Sequence, residues 1–366
     1  MQMEEESIKF EDLILGRVLQ ESKKIFVSNI EKEYILEIFK KDSFLSENFP
    51  NAKEVINSIQ ILDRNFFYDI YKFYYEDVGY AIKIGSDVDI EIFEREKIAL
   101  DALEGKNLAP SLVSINKLDN YSYLLTSFEH GFTAESIGKS MFYDKIELFA
   151  ESLAKLHNET KQESNERDYF LDSFFSVSRF EEFLDDEVID ELKKMEFFKN
   201  SVSLLEEIEE AIKVQLPEKA ESLSSICHTN LRFPNILFRS DLQEIKFCNF
   251  YNSFVLNPLW DLGFAIIRLE LQDHPIIEDR FLNCYFQHSY LNREDFSMVF
   301  YKQICFKLIL HKVVSTYFLK MVIPEESGSV LEMFKNYSII RDMVQNEFPT
   351  YVDTLDAMFN NFSNSI

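Results

Sequence analysis

Strand-like segments are concentrated in the early part of the chain, and most of the later sequence has the period of helices. Runs at 66–75 and 80–85 are separated by the turn sequence Glu-Asp-Val-Gly, and a second strand-like pair lies at 111–115 and 122–128. A helix-like segment, 91–103, falls between the two pairs. This order predicts a small antiparallel sheet with one helix, followed by a larger helical region.

The helical region is interrupted by one short β-like hairpin, with strands expected at 236–238 and 244–250. Helices are expected at 144–157, within 180–213 and in several segments between 278 and 320. Before the sheet, a strand-like run at 25–30 and a helix-like run at 31–41 form a mixed extension.

Charge and composition exclude several classes of function. The chain of 366 residues carries 38 basic and 64 acidic side chains, a formal net charge of −26, so it would repel nucleic acid and anionic lipid. No apolar run approaches a membrane span and no secretory signal is visible, so we expect a cytoplasmic protein. Only 8 glycines occur, where average usage gives about 25, which leaves little room for a phosphate loop built on several glycines.

One segment of the sequence carries most of the residues that suggest chemistry. His228-x-Asn230 is followed five residues later by Asn235, then by the hairpin, by Asn249 and by Asp261. This arrangement resembles the catalytic and metal-binding loops of the aminoglycoside phosphotransferase and choline kinase family. That family reads H-G-D-x-x-x-x-N here, then has a strand ending in Asp and a further Asp entering a helix.

The amino-terminal part of the chain supports the same resemblance. Tyr-Ala-Ile-Lys83 looks like the family's third-strand lysine, and the glutamate of the family's helix corresponds to Glu96. The segment 122–131 sits where the family has its hinge, and 151–159 resembles its helix ending in Leu-His. The resemblance covers roughly residues 60–320.

The resemblance implies an α+β, bilobal protein-kinase-like fold, with a small antiparallel-sheet N-lobe and a larger, mainly helical C-lobe. The expected division is an N-terminal extension (1–57), an N-lobe (58–128), a helical C-lobe (129–320) and a C-terminal helical extension (321–366).

The resemblance also assigns roles to individual residues. Lys83 would bind the phosphates of ATP, oriented by Glu96, and Asn235 would bind one magnesium ion. Three hinge residues would lie on the nucleotide side: Ser127, Phe128 and Glu129. His228 and Asp261 would be structural residues of the loops, without direct chemistry.

Two positions depart from the family pattern. Residue 230 should be Asp, to accept the hydroxyl proton, and residue 249 should be Asp, to hold magnesium, but both are Asn. An amide is no useful base near neutral pH, and losing a catalytic base typically lowers the rate ~10²–10⁴-fold. Magnesium also favours carboxylate oxygen. A plainer reading leaves Asn230 and Asn249 as polar residues that satisfy buried backbone groups.

A third departure concerns the phosphate-covering turn. The family places a turn rich in Gly, Ser and Asn between residues 58 and 72, but no glycine occurs there. Phe66, Phe67 and Tyr68 occupy the expected turn, where backbone amides would otherwise approach the nucleotide.

Other features point to ligands or partners less specifically. Glu270 and Asp273 fall where the family binds a cationic acceptor, although acidic residues are common throughout this chain. The amphipathic segments 331–344 and 350–362 are candidates for covering the lobe or docking a protein partner. His157, at a helix end, is expected to be a cap or a solvent-facing residue.

Three functions are compatible with these patterns. The leading hypothesis is a pseudokinase with a degenerate site, which binds a nucleotide, a small molecule or a partner, with ATP and Mg²⁺ bound weakly or not at all. The alternatives are a working ATP-dependent kinase that phosphorylates a hydroxyl of an aminoglycoside, choline or sugar-like acceptor, and an interaction-only protein with an occluded cleft.

Overall fold

A computed structural model describes residues 32–64, 68–86, 90–164, 166–175, 196–215, 223–239, 241–295, 297–322, 341, 344–345 and 348–363. They divide into two compact units. The larger contains the described residues of Val27–Arg167 and Lys219–Cys305, and the smaller contains those of Asp168–Glu218 and Phe306–Ile366. The strand expected at 25–30, residues Phe66 and Phe67, and most of segment 331–344 lie outside the described residues.

The larger unit contains a five-stranded antiparallel sheet with the strand order β1-β2-β3-β5-β4. Its strands are β1 (Gln60–Arg64), β2 (Tyr68–Tyr75), β3 (Val78–Ser86), β4 (Leu112–Leu118) and β5 (Tyr121–Ser127). The helix expected between the strand pairs is present as a helix at Ile90–Ala102. The predicted α+β kinase-like class, with an antiparallel sheet and many helices, is confirmed.

Strand β1 has no counterpart in the predicted strands, since its residues were expected to belong to the phosphate-covering turn. It lies at the edge of the sheet, and Ile61 and Leu62 are both exposed. Neither face of β1 is buried at these positions, so the strand lacks the alternation that marks a half-buried strand in a sequence.

Three helices pack on the sheet: α1 (Lys32–Lys41), α2 (Ser43–Asn48) and α3 (Ala52–Ser58). Their apolar residues form one core with residues of β2, β3 and β5. Phe49, which follows α2, lies against the rings of Phe39, Phe73, Tyr75 and Tyr80 at centroid distances of 5.1 to 5.7 Å. The boundary expected at residue 57 therefore falls within a single hydrophobic core.

The Ile90–Ala102 helix is α4. The remainder of the larger unit is mostly helical. Its further helices are α5 (Ala134–Ile137), α6 (Lys139–Asp144), α7 (Ile146–Glu159), α10 (Leu259–Arg268) and α11 (Pro275–His288). Its short strands are β6 (Gly131–Thr133), β7 (Ser225–Cys227), β8 (Ile236–Arg239), β9 (Ile245–Phe247) and β10 (Phe254–Leu256). The predicted hairpin corresponds to β8 and β9, and the loops on either side of it carry the candidate site.

The smaller unit is built from α9 (Glu196–Gln215), the carboxyl-terminal part of α12 (Met298–Val322) and α13 (Val352–Ser363). Helix α8 (Arg167–Phe175) also belongs to it, apart from its first residue. Within the unit, His311 lies 2.9 Å from Glu209, and the Tyr351 hydroxyl donates to Glu207 at 2.7 Å. Among the described residues, no helix combines the length and the apolar composition that crossing a membrane requires.

Candidate functional site in the larger unit

Strand β3 and helix α4 bring Lys83 and Glu96 together in a buried ion pair. The Lys83 ammonium lies 2.7 Å from one carboxylate oxygen of Glu96 and 2.6 Å from the other. The backbone N–H of Phe250 also donates to Glu96, at 3.3 Å, which joins the pair to the loop after β9. This is the pairing that the sequence resemblance implies for a phosphate-binding lysine.

Tyr68 covers the other side of the lysine. Its ring centroid is 5.1 Å from the Lys83 ammonium, close enough for a cation–π interaction. The expectation that Tyr68 belongs to a turn is wrong, because it is the first residue of β2 and only 3% exposed. Tyr251 packs edge-on against this ring. The ammonium is therefore held between a carboxylate and an aromatic face, with 7% of Lys83 exposed.

His228 links the two loops of the site. Its Nε2–H donates to the carbonyl of Cys248 at 2.8 Å, and its Nδ1 accepts from the N–H of Asn230 at 3.3 Å. One nitrogen donates and the other accepts, so the ring is the neutral Nε2–H tautomer. Burial lowers the pKa of His228, which favours the same neutral form.

Asp261, in the first turn of α10, anchors the loop that begins at His228. Its carboxylate accepts from the backbone N–H groups of His228 at 2.6 Å and Thr229 at 2.7 Å. His157 donates a third hydrogen bond to it, at 3.1 Å. These contacts support a structural role for Asp261, because its oxygens are occupied by donors of the fold itself.

The expectation of a solvent-facing or capping His157 is wrong. The side chain is completely buried and bridges Asp261 to the hydroxyl of Tyr285, which lies 2.8 Å from Nδ1. Tyr285 is on α11, far from His157 in the sequence. The pattern of residues around His157 therefore could not predict this contact.

Asn235 and Asn249, the two predicted metal ligands, are hydrogen-bonded to each other. The side-chain amide of Asn235 donates to the carbonyl of Asn230 at 2.8 Å, which fixes its orientation and turns its Oδ1 toward Asn249. The amide of Asn249 donates to that oxygen, also at 2.8 Å. Asn249 adopts the left-handed backbone conformation, with φ of 66°, which Asn tolerates better than most residues.

These side chains do not fit a magnesium ion. The ligand oxygen of Asn235 already accepts a hydrogen bond, and Asn249 presents an N–H group where a second ligand would be needed. Neither residue carries charge, whereas magnesium sites in proteins use one or two carboxylates. The adjacent carboxylate of Glu96 is neutralised by Lys83.

Asn230, which the sequence resemblance puts at the position of the catalytic base, contacts an arginine that the sequence patterns did not single out. Nη1 of Arg268 donates to Asn230 Oδ1 at 2.9 Å and to the carbonyl of Thr229 at 3.1 Å. The amide of Asn230 donates in turn to the hydroxyl of Tyr251, at 3.3 Å. The sequence carried one usable signal: Arg268 is seven residues after Asp261 and therefore lies on the same face of α10.

The three hinge residues follow one another at the end of β5. The N–H of Phe128 donates to the carbonyl of Gly79 at 2.9 Å. The Ser127 hydroxyl donates to Glu129 at 3.0 Å, and Lys246 forms an ion pair with Glu129 at 2.9 Å. The hinge is thus tied to β3 on one side and to β9 on the other.

The residues expected on the acceptor side, Glu270 and Asp273, follow α10. Glu270 forms an ion pair with Lys139, and Asp273 is exposed. The pKa of the neighbouring Tyr143 is raised to about 12, chiefly by burial and in addition by the charges of Glu270 and Asp273. Glu270 is therefore already engaged by a cation of the chain, which weakens the case for a cationic acceptor there.

No family model and no curated protein matches this sequence. Solved structures are similar to it in fold. The ethanolamine kinase of Plasmodium vivax is 16% identical, with a TM-score of 0.54, over 88% of this chain and 94% of that chain. A thermostable mutant of aminoglycoside phosphotransferase APH(4)-Ia is 12% identical, with a TM-score of 0.51, over 82% and 98%.

A further structure of that phosphotransferase is a ternary complex with AMP-PNP and hygromycin B, at a TM-score of 0.51, 12% identity and the same coverage. Identities this low establish the fold alone. With an antiparallel sheet carrying a lysine–glutamate pair and a helical part carrying the two loops, the chain has the bilobal protein-kinase-like fold of ethanolamine kinase and the aminoglycoside phosphotransferases.

Proposed function

We propose that this protein is a pseudokinase, a phosphotransferase-like protein that binds a ligand in its cleft without transferring phosphate. One observation carries the proposal: each of the two positions that need a carboxylate holds an Asn whose side chain is already engaged. Asn230 accepts from Arg268, and Asn249 donates to the oxygen of Asn235. A site in this state has neither a general base nor a charged metal ligand.

A phosphoryl-transfer assay tests this proposal. The protein is incubated with ATP and Mg²⁺ and a panel of aminoglycosides, choline, ethanolamine and sugar alcohols, and ADP release is measured. We expect no release above that of Asn230→Ala, since this variant removes only an amide that cannot act as a base. Acceptor-dependent release that disappears in Asn230→Ala would establish the working-kinase alternative and overturn the proposal.

The interaction-only alternative has a specific observation in its favour. The Tyr68 ring covers the Lys83 ammonium and only 7% of this lysine is exposed, which leaves little of it open to the phosphates of a nucleotide. The two readings differ in one measurement. A pseudokinase of the proposed kind binds a nucleotide or another small molecule in the cleft, whereas an interaction-only protein with an occluded cleft binds no small molecule there.

A further inference from the structure

Arg268, the last residue of α10, directs its guanidinium at the loop that carries Asn230. Its Nη1 is held by Asn230 Oδ1 and the Thr229 carbonyl, and its guanidinium carbon lies 4.8 Å from the Phe264 ring centroid. Among the described residues, no carboxylate pairs with Arg268, and no acceptor takes a hydrogen bond from its Nε or Nη2. The side chain is partly exposed, so that edge of the guanidinium faces accessible space.

The charges around Arg268 leave it as a local excess of positive charge. Burial lowers its pKa to about 10, and the charge of nearby Arg232 acts in the same direction, so Arg268 is still protonated at pH 7. The charge of Asp261 acts in the opposite direction and more weakly than that of Arg232. The Asp261 carboxylate accepts hydrogen bonds from two backbone N–H groups. Lys83 and Glu96 neutralise each other.

We infer that Arg268 binds the phosphate group of a nucleotide or of another phosphorylated small molecule without a metal ion. The inference rests on the proposed function, since it names the ligand class of the same cleft. An edge formed by Nε and Nη2 matches two phosphate oxygens, and arginine–phosphate pairs of this kind are among the stronger hydrogen bonds in proteins.

Asn230 has a role in this site besides the absence of a catalytic base: it holds Arg268 without neutralising it. Its neutral oxygen fixes one end of the guanidinium and leaves the positive charge uncompensated. An Asp at this position would form an internal salt bridge with Arg268 and compete with any bound anion. The positive charge of Arg268 also stands out in a protein whose net charge is −26.

Isothermal titration calorimetry tests the inference, with pyrophosphate and ADP as ligands and adenosine as the phosphate-free control, all in EDTA. We expect pyrophosphate or ADP to bind in EDTA and adenosine not to bind. Binding of pyrophosphate would show that the phosphate group suffices, and binding of ADP alone would identify a nucleotide. Arg268→Gln is expected to lower the affinity for pyrophosphate or ADP about 10- to 100-fold, the usual range for a lost charge-assisted hydrogen bond.

Arg239→Gln is the matched control, because Arg239 is an exposed arginine paired with Glu244 on the hairpin, and it should bind like the unaltered protein. Should Arg268→Gln fail to fold, Asn230→Asp provides the second variant, since it keeps the arginine and neutralises it, and it should also weaken binding at least tenfold.

Two results would overturn the inference: binding that requires Mg²⁺, or binding that neither variant weakens. Absence of any phosphate binding would also reject it, while leaving the pseudokinase proposal to be decided by the separate ADP-release assay. Turnover in that assay would reject the proposed function whatever the titrations give.

Discussion

At the scale of single residues, the asparagines of the two loops are engaged by other groups of the chain. Asn249 and Asn235 bond to each other, and Asn230 bonds to Arg268, so the polar groups of the loops satisfy one another. Restoring the carboxylates therefore changes these contacts as well as the chemistry.

Asn249→Asp should make the stability of the protein depend on magnesium. A carboxylate would face the Oδ1 of Asn235 in place of an N–H donor, which exchanges a hydrogen bond for repulsion and costs about 1–3 kcal/mol. Thermal unfolding in EDTA should show a lower Tm, and Mg²⁺ should restore it. Asn249→Ala is the control, since it also loses the bond but gains no metal ligand. Equal Mg²⁺ responses of the two variants would contradict the prediction.

The double change Asn230→Asp with Asn249→Asp is expected to give no ATP turnover. Arg268 lies 2.9 Å from the oxygen of residue 230 and would hold the new carboxylate in a salt bridge, which lowers its basicity. Adding Arg268→Ala to the double variant should free the carboxylate at residue 230 and allow turnover. ADP production by the double and triple variants checks this. Turnover in the double variant would show that the arginine does not restrain residue 230.

Lys83→Ala is expected to destabilise the fold by about 3–5 kcal/mol, because it leaves the Glu96 carboxylate buried without its partner. Glu96 is 3% exposed, and the other hydrogen bond it accepts, from the N–H of Phe250, is long at 3.3 Å. Chemical denaturation of Lys83→Ala, Glu96→Ala and the double variant checks this, and the double variant should lose less than the sum of the two. Strict additivity would show that the pair contributes nothing.

At the scale of elements, the helices before the sheet are part of its core. Phe49 lies among the rings of Phe39, Phe73, Tyr75 and Tyr80, which join α1 and the sheet. Asp42 strengthens the connection, because one of its oxygens caps α2 and the other accepts from Asn116 on β4, at 2.7 Å each. The sheet is thus covered by chain segments that lie before the region of sequence resemblance.

Phe49→Ala should destabilise the protein by about 3–5 kcal/mol, the usual cost of removing a buried aromatic ring. Tyr34→Ala, at a residue of α1 that is 43% exposed, should change stability by less than about 1 kcal/mol. Urea denaturation of both variants measures the difference. Similar losses in the two would mean that the helices before the sheet do not share its core.

At the scale of the whole molecule, the buried neutral His228 couples the stability of the fold to pH. Its pKa is lowered in the folded state, so the unfolded chain binds more protons once the pH falls below about 6.5. The free energy of unfolding should therefore decrease as the pH falls through that value, by at most about 1.4 kcal/mol per pH unit from this group. At higher pH the contribution of His228 is constant.

His228→Gln isolates this contribution from that of the 64 acidic residues. Glutamine keeps a side-chain donor and acceptor but does not titrate, so the stability of the variant relative to the unaltered protein should rise as the pH falls from 7 to 5. Denaturation curves across that range give the difference. A difference that stays constant with pH would mean that His228 is not held neutral.

The resemblance to a known family implied the fold class. Local patterns in the sequence predicted the strand pairs, the hairpin and the two loops. These follow from periodicity within short windows and from the spacing of His228, Asn230, Asn235 and Asn249, which are local properties of the chain. The sequence also showed Asn at two positions where the resembled family has Asp, because residue identity at a motif position needs no coordinates.

Packing in three dimensions set the contacts of the site residues. Arg268 meets Asn230, Tyr68 meets Lys83, and His157 meets Asp261 across long separations in sequence. The edge strand β1 was missed for a related reason, since its exposed residues carry no alternation. Such contacts depend on how helices and strands pack together, and no window of the sequence records them. The sequence therefore indicated a site without its carboxylates, and the structure placed beside it an arginine that no carboxylate of the described residues neutralises.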